Sequence, residues 1–352
     1  MQSLVSSMAR KKKSDSDLSL EDIGAISLSD LDNSSRIKTW VSTGSIVVDS
    51  VLAGGRQLPC TLIPFGRQVE ISGKPGAGKT TLCAQIAART QAAGGKVIVV
   101  DTEERIDHPY WEKLGVDTSS VISLHADSLE EVFNKQEKAI KIMSSKYPDI
   151  PLLMLWDSVG GTSSQEVLEG DGDLMERAKK MYGREAKLIG TGVKALNGLI
   201  TKSNVCYIYT NHLYTDMNVT YGAKEKEYGG LKLQHYATVR LRLTKTANIS
   251  AEDKFGNTMI VGQKVKVKAN KNSMAPIQME KEAVIIGGEG FSNDYTVFDL
   301  GRKAGLVSGS GAWSSVTLGG EEIKFQGWAG FKEKVATHTN YNELVQSMLE
   351  SL

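Results

Sequence analysis

Gln68-Val69-Glu70-Ile71-Ser72-Gly73-Lys74-Pro75-Gly76-Ala77-Gly78-Lys79-Thr80 carries a β-prone apolar run straight into a glycine-rich turn. Its last eight residues fit Gly-x-x-x-x-Gly-Lys-[Ser/Thr], and the strand before the motif and the helix-like run after it are the context a phosphate-binding loop requires. Glycines let successive backbone N–H groups turn onto phosphate oxygens, and the helix N-terminus adds positive potential. In such a loop the lysine, Lys79, reaches the β and γ phosphates and the hydroxyl, Thr80, ligates magnesium. Gly73, Gly76, Gly78, Lys79, Thr80 and Thr81 are therefore the expected nucleotide contacts, with ATP and Mg2+ as the expected ligands. Gly94-Gly95 supplies the stop of the helix that follows.

Outward from this loop, apolar runs at residues 97–100, 152–156 and 205–209 alternate with helical patterns, which predicts an α/β fold with a mostly parallel central sheet. Open sheets of this kind place their ligands at the strands' C-terminal ends. Asp157 closes one such run, where a carboxylate holds the water shell of the metal. Glu103 follows another run by three residues, where a carboxylate can orient an attacking water, with Glu104 beside it or plain surface charge as the alternatives. After Tyr236 the pattern becomes alternating, at residues 238–243 and 263–268, which predicts antiparallel strands extending the sheet.

A chain of 352 residues exceeds what a single core comfortably fills, so one large domain with smaller appendages is expected. The formal net charge of +1 means that nucleic-acid binding would have to come from local patches. The three cysteines, Cys60, Cys83 and Cys206, form no paired spacing, which argues against a zinc site or disulfide scaffold and for a reducing, cytoplasmic setting. No apolar stretch of the length needed by a signal peptide or membrane span follows the basic run at residues 10–13, read here as solvated terminal charge. Residues 1–40 carry a short apolar rhythm in Leu18, Leu20, Ile23 and Ile26, suited to packing on another subunit.

In the order of its parts the chain resembles the RecA family of DNA recombinases over nearly its whole length after Trp40. Ser42-Thr43-Gly44-Ser45 with Asp49, Asp101-Thr102-Glu103, the stretch from Ile106 to Asp117, and Asp157-Ser158 are similar to that family's core. The resemblance makes Glu103 the catalytic glutamate and puts Asp107 and Tyr110 against the adenine. It identifies residues 169–173 as the start of the first DNA-binding loop, followed by Arg177, Lys179, Lys180 and Arg184. Lys187 and Lys194 match family arginines used on the phosphodiester backbone. Asn211-His212 stands where the bacterial members have Asn-Gln, and resembles the bacteriophage branch, with His212 as a γ-phosphate sensor. The second loop is similar through Tyr221-Gly222 and Gly229-Gly230 to Tyr236, with Tyr221 matching an aromatic that contacts stretched DNA. Lys271, and Lys268 as the less well matched candidate, resemble lysines that reach a neighbouring subunit's ATP. Trp313 and Trp328 are read as core anchors.

The resemblance implies a DNA-dependent ATPase that polymerises on single-stranded DNA and pairs it with homologous duplex. It implies residues 1–40 as a subunit-packing segment, 41–286 as the ATPase core and 287–352 as a small C-terminal domain. Rival readings are another ATPase of this fold such as a ring helicase, a P-loop phosphotransferase acting on a small molecule, and a filament-forming protein without hydrolysis.

Overall fold

The computed structural model describes residue 37 and residues 39–56, 62–181, 183–215, 225–252, 255–309 and 313–351. In chain order the helices and strands are β1 (Trp40–Val41), α1 (Ile46–Ala53), β2 (Ile63–Pro64), β3 (Gln68–Gly73), α2 (Lys79–Ala92), β4 (Lys96–Asp101), α3 (His108–Lys113), β5 (Ile122–Ser123), α4 (Leu129–Lys146), β6 (Leu152–Asp157), α5 (Gln165–Glu169), α6 (Leu174–Met181) and α7 (Arg184–Lys202). They continue as β7 (Val205–Thr215), β8 (Glu225–Glu227), α8 (Leu231–Tyr236), β9 (Ala237–Glu252), β10 (Thr258–Asn272), β11 (Glu280–Ile286), β12 (Gly290–Phe291), α9 (Asn293–Leu300), β13 (Trp313–Leu318), β14 (Glu321–Gln326), α10 (Gly327–Lys334) and α11 (Tyr341–Ser351).

The central sheet runs β12-β11-β10-β9-β3-β7-β6-β4-β5. From β9 through β5 every pair is parallel, whereas β10, β11 and β12 are added antiparallel, as the alternating segments after Tyr236 predict. Successive side chains on a strand point to opposite faces, and here each face feeds its own core. Val69, Ile71, Val97, Val99, Leu153, Leu155, Cys206 and Ile208 pack with α1 and α2 on one side. Ile98, Val100, Met154, Trp156, Tyr207 and Tyr209 pack with α4 and α7 on the other. Near-continuous apolar runs are what a parallel strand covered on both faces needs.

Strands β9 and β10 run well past the alternating cores predicted for them, at 16 and 15 residues. Beyond the sheet they continue as a ribbon bearing exposed Met259 and Ile260, with several register shifts between the strands. The alternation fades there because neither face of the ribbon is buried, so no periodic signal marks those residues as strand.

Residues 293–351 place three helices and the β13–β14 hairpin around an aromatic cluster of Tyr295, Phe298, Trp328 and Phe331. Trp328 is a core anchor as expected. Trp313 is not: it is 57% exposed, on the outward parity of β13, whose buried positions are Ser314, Val316 and Leu318. Among the described residues no helix is long and apolar enough to cross a membrane.

Candidate nucleotide site and its flanking loops

Four adjacent strands, β3, β7, β6 and β4, end on one edge of the sheet, and their C-terminal residues build the site. The loop after β3 enters α2 through Gly78, at φ +94°, where a Cβ would lie 2.3 Å from Ile285 Cδ1. Gly76, at φ +74°, faces open space. Helices α1, α3, α4 and α9 are capped by the side chains of Ser45, Asp107, Ser128 and Ser292, but α2 has no side-chain cap. Its first N–H groups are left for an anion, which is the use a phosphate makes of a helix N-terminus.

Lys79 is buried, its ammonium donating to the carbonyls of Gly73 at 3.0 Å and Lys74 at 3.3 Å. Burial pulls it below the usual lysine range, against the opposing pull of Asp157 and Glu103. Thr80 donates its hydroxyl to Asp157 Oδ2 at 2.7 Å, and Thr210, midway along β7, donates to the other oxygen. A threonine hydroxyl beside a fixed carboxylate is a hard-oxygen donor set, the kind that suits Mg2+ rather than a soft metal. No cluster of three or more His, Cys, Asp or Glu side chains among the described residues makes a separate protein-only metal cage.

Glu103 sits across the crevice. Its Oε1 accepts from the Ser158 hydroxyl and lies 2.7 Å from His212 Nε2, and its Oε2 lies 3.2 Å from Arg105. Burial opposes the charge on Glu103, but the hydrogen bonds from Ser158 and His212, with the field of Arg105, outweigh it and hold the carboxyl below its usual range. His212 Nδ1 faces the Lys79 ammonium at 3.5 Å. Since an ammonium can only donate, the ring accepts at Nδ1 and donates from Nε2, so one imidazole joins the loop lysine to the glutamate. Glu104 is exposed and takes a left-handed backbone, φ +52°.

Asp107 caps α3 by accepting from the Tyr110 N–H at 3.2 Å, and the Tyr110 hydroxyl lies 3.1 Å from Thr81 Oγ1 on α2. Lys79, Thr80, Thr81, Glu103, Asp107, Tyr110, Asp157 and His212 thus line one edge. Ser158, Thr210 and Arg105 were absent from the expected set. Thr210 had a signal, as the polar residue directly after the apolar run at 205–209. Ser158 becomes a partner of Glu103 only through sheet order, whereas Arg105 lies two residues along the same segment.

The family model described as the RecA N-terminal domain matches residues 18–292. A protein named Protein RecA from Chloroherpeton thalassium is 38% identical over 275 residues, covering 78% of this chain and 71% of the relative. The Protein RecA of Geobacter sulfurreducens is 35% identical over 283 residues, 80% of this chain and 77% of the relative. That of Zymomonas mobilis is 32% identical over 312 residues, 88% of this chain and 80% of the relative. The chain belongs to the RecA family.

The RecA-family loop segments leave the same sheet edge. The first forms two short helices, α5 and α6, and Arg177 is folded back onto the carbonyls of Gly170 and Leu168 at the end of α5. Its guanidinium is engaged in shaping the loop. Arg184, Lys187 and Lys194 are exposed along α7. Gly229 and Gly230, at φ +87° and +79°, form the turn into α8, while Tyr221 and Gly222 lie outside the described residues. Lys271 Nζ donates to the carbonyls of Gln234 and His235 at the end of α8, and Lys268 lies 3.9 Å from Glu280.

Proposed function

We propose that this RecA-family chain is a DNA-dependent ATPase that assembles cooperatively on single-stranded DNA and pairs it with homologous duplex. The observation that carries the reading is the bonded series Lys79, His212 and Glu103, which joins the phosphate loop to the water-orienting carboxylate at the edge from which both loop segments depart. Lys79 and the α2 N-terminus would hold the triphosphate of ATP, and Thr80 with Asp157 would hold Mg2+. Bound there, the nucleotide supplies the phosphoanhydride bond and the metal shields its negative charge. Asp107 and Tyr110 would contact the base. Glu103 would orient water, and His212, in contact with both Lys79 and Glu103, is placed to sense what Lys79 holds.

Arg184, Lys187 and Lys194 supply sequence-independent phosphate contacts on DNA, to which we add Tyr221, Gly222, Gly229 and Gly230 of the second loop. Arg177 then acts by shaping the first loop. Lys271 and Lys268 would serve a neighbour's nucleotide in a filament. We assign residues 1–40 to subunit packing, 41–286 to the ATPase core and 287–352 to a small C-terminal domain. Buried free thiols at Cys83 and Cys206 suit a reducing cytoplasm, and Asn211-His212 supports a place in the bacteriophage branch. The test is ATP hydrolysis titrated with single-stranded DNA, together with capture of homologous duplex. Hydrolysis should rise cooperatively with DNA and fall with salt. Turnover indifferent to DNA, with no joint molecules formed, overturns the recombinase reading.

A further inference from the structure

We infer that Glu185 is a positioning residue that ties the two loop segments into one mechanical unit, with one carboxylate oxygen for each. The inference rests on the proposed reading of those segments as DNA-binding loops. Glu185 lies in the first turn of α7, where the helix N-terminus favours a carboxylate. Its Oε1 accepts from the backbone N–H of Ser164, the N-cap residue of α5, at 2.8 Å. Its Oε2 accepts from the Tyr228 hydroxyl, at the base of the second loop, at 3.0 Å.

Both partners are themselves fixed. Ser164 is fully buried, so its N–H depends on Glu185 for an acceptor. The Tyr228 backbone is held twice by the Asn211 side chain, its N–H donating to Oδ1 at 3.2 Å and its carbonyl accepting from Nδ2 at 2.8 Å. Asn211 spends its other amide hydrogen on Glu70, which is fully buried and paired with Arg240. Turning the Asn211 amide would strand buried polar groups, so Tyr228 has little freedom at its backbone. A negative side chain between exposed Arg184 and Lys187 would weaken any hold on phosphate if it pointed outward. Glu185 is instead turned inward, onto the roots of the two loops. Because His212 follows Asn211 on β7, the same strand reaches the Lys79 and Glu103 side of the sheet.

The test compares the full-length protein with Glu185→Ala, Glu185→Gln, Tyr228→Phe and the Glu185→Ala/Tyr228→Phe double variant. Glutamine can accept from Ser164 through its oxygen and donate to the Tyr228 oxygen through its amide, so it should restore what alanine loses. Tryptic cleavage without DNA reads the loops directly, at Arg177, Lys179 and Lys180 for the first and Lys226 for the second. Cleavage in both segments should rise together in Glu185→Ala, by about tenfold for loss of a charge-assisted hydrogen bond. It should return to the parent rate in Glu185→Gln, and the double variant should be no faster than Glu185→Ala. Affinity for single-stranded oligonucleotide should fall in parallel while ATP affinity stays at the parent value. If Glu185→Ala does not fold, Tyr228→Phe, which deletes a single oxygen, decides by the same cleavage pattern. Unchanged cleavage, a rise in one segment alone, or additive effects in the double variant overturns the inference. A parent protein that ignores DNA overturns the proposed function instead, and the cleavage pattern still decides whether Glu185 joins the two segments.

Discussion

His212 Nε2 lies 2.7 Å from Glu103 Oε1, so the end of β7 and the segment after β4 meet across β6, the strand between them. His212→Ala removes a donor from Glu103 and an acceptor from Lys79 while leaving the glycine loop in place. ATP affinity should change little and turnover should fall by about tenfold or more, the scale of a misplaced acid–base group. Nucleotide binding measured beside single-turnover hydrolysis separates the two effects.

Hydrolysis should also respond to acid through Glu103. Its carboxyl is held below the usual range, so the carboxylate persists as pH falls and is lost only beneath the ordinary glutamate value of about 4.3. Ser158→Ala or Arg105→Ala removes a group that favours the charged form, so the acid limb of kcat/KM should move to higher pH. An acid limb in the same place for both variants and the parent would show that another group controls it.

Thr210 fixes one oxygen of Asp157 and Thr80 the other. Thr210→Val leaves shape and removes that hydroxyl, so the Mg2+ concentration giving half-maximal hydrolysis should rise by roughly tenfold, in keeping with the effect of groups that orient metal ligands. A titration with Mg2+ at saturating ATP measures it.

Asp49 is buried and accepts from Ser42, from the Thr43 N–H at 2.8 Å and from the Thr43 hydroxyl at 2.7 Å. Burial raises its carboxyl above the usual range despite these bonds. A folded value above the unfolded one makes this group's contribution greatest below the unfolded pKa and smaller as pH rises through the folded one. Asp49→Asn should flatten that slope in urea unfolding between acid and neutral pH. Asp49→Ala, which strands the Thr43 donors, should destabilise by about 2 kcal/mol or more.

Gly192 lets α7 close on α4: a Cβ there would lie 2.5 Å from the ring of Phe133, itself packed edge-on to Trp156. Gly192→Ala should lower stability by about 1–3 kcal/mol through overpacking, read as a shift in the urea midpoint.

The phosphate loop, the four strands around it and Asp157 were legible in sequence because each is a local signal: a motif, an apolar run, a charge at a strand's end. Ser158 was not, and Thr210 only as a polar residue after an apolar run, since what they touch depends on β7, β6 and β4 lying side by side; Arg105, a sequence neighbour of Glu103, is singled out by no motif. Glu185 and Tyr228 are 43 residues apart and meet only once α7 is packed over the sheet. Trp313 was misread because residue type alone does not say which parity of an edge hairpin faces inward. Lys271 matched by resemblance, and only coordinates reveal that it closes the end of α8 within its own chain.

Strand β7 presents Asn211 to Tyr228 on one face and His212 to Lys79 and Glu103 on the other. Alternation makes the two duties inseparable from length. A residue deleted within the buried part of β7 would set an imidazole against Glu70, and one inserted would set an amide against the lysine. Relatives that keep this arrangement should therefore differ in the letters of that strand far more readily than in its number of residues, and a gap there would signal a protein that has abandoned the coupling altogether.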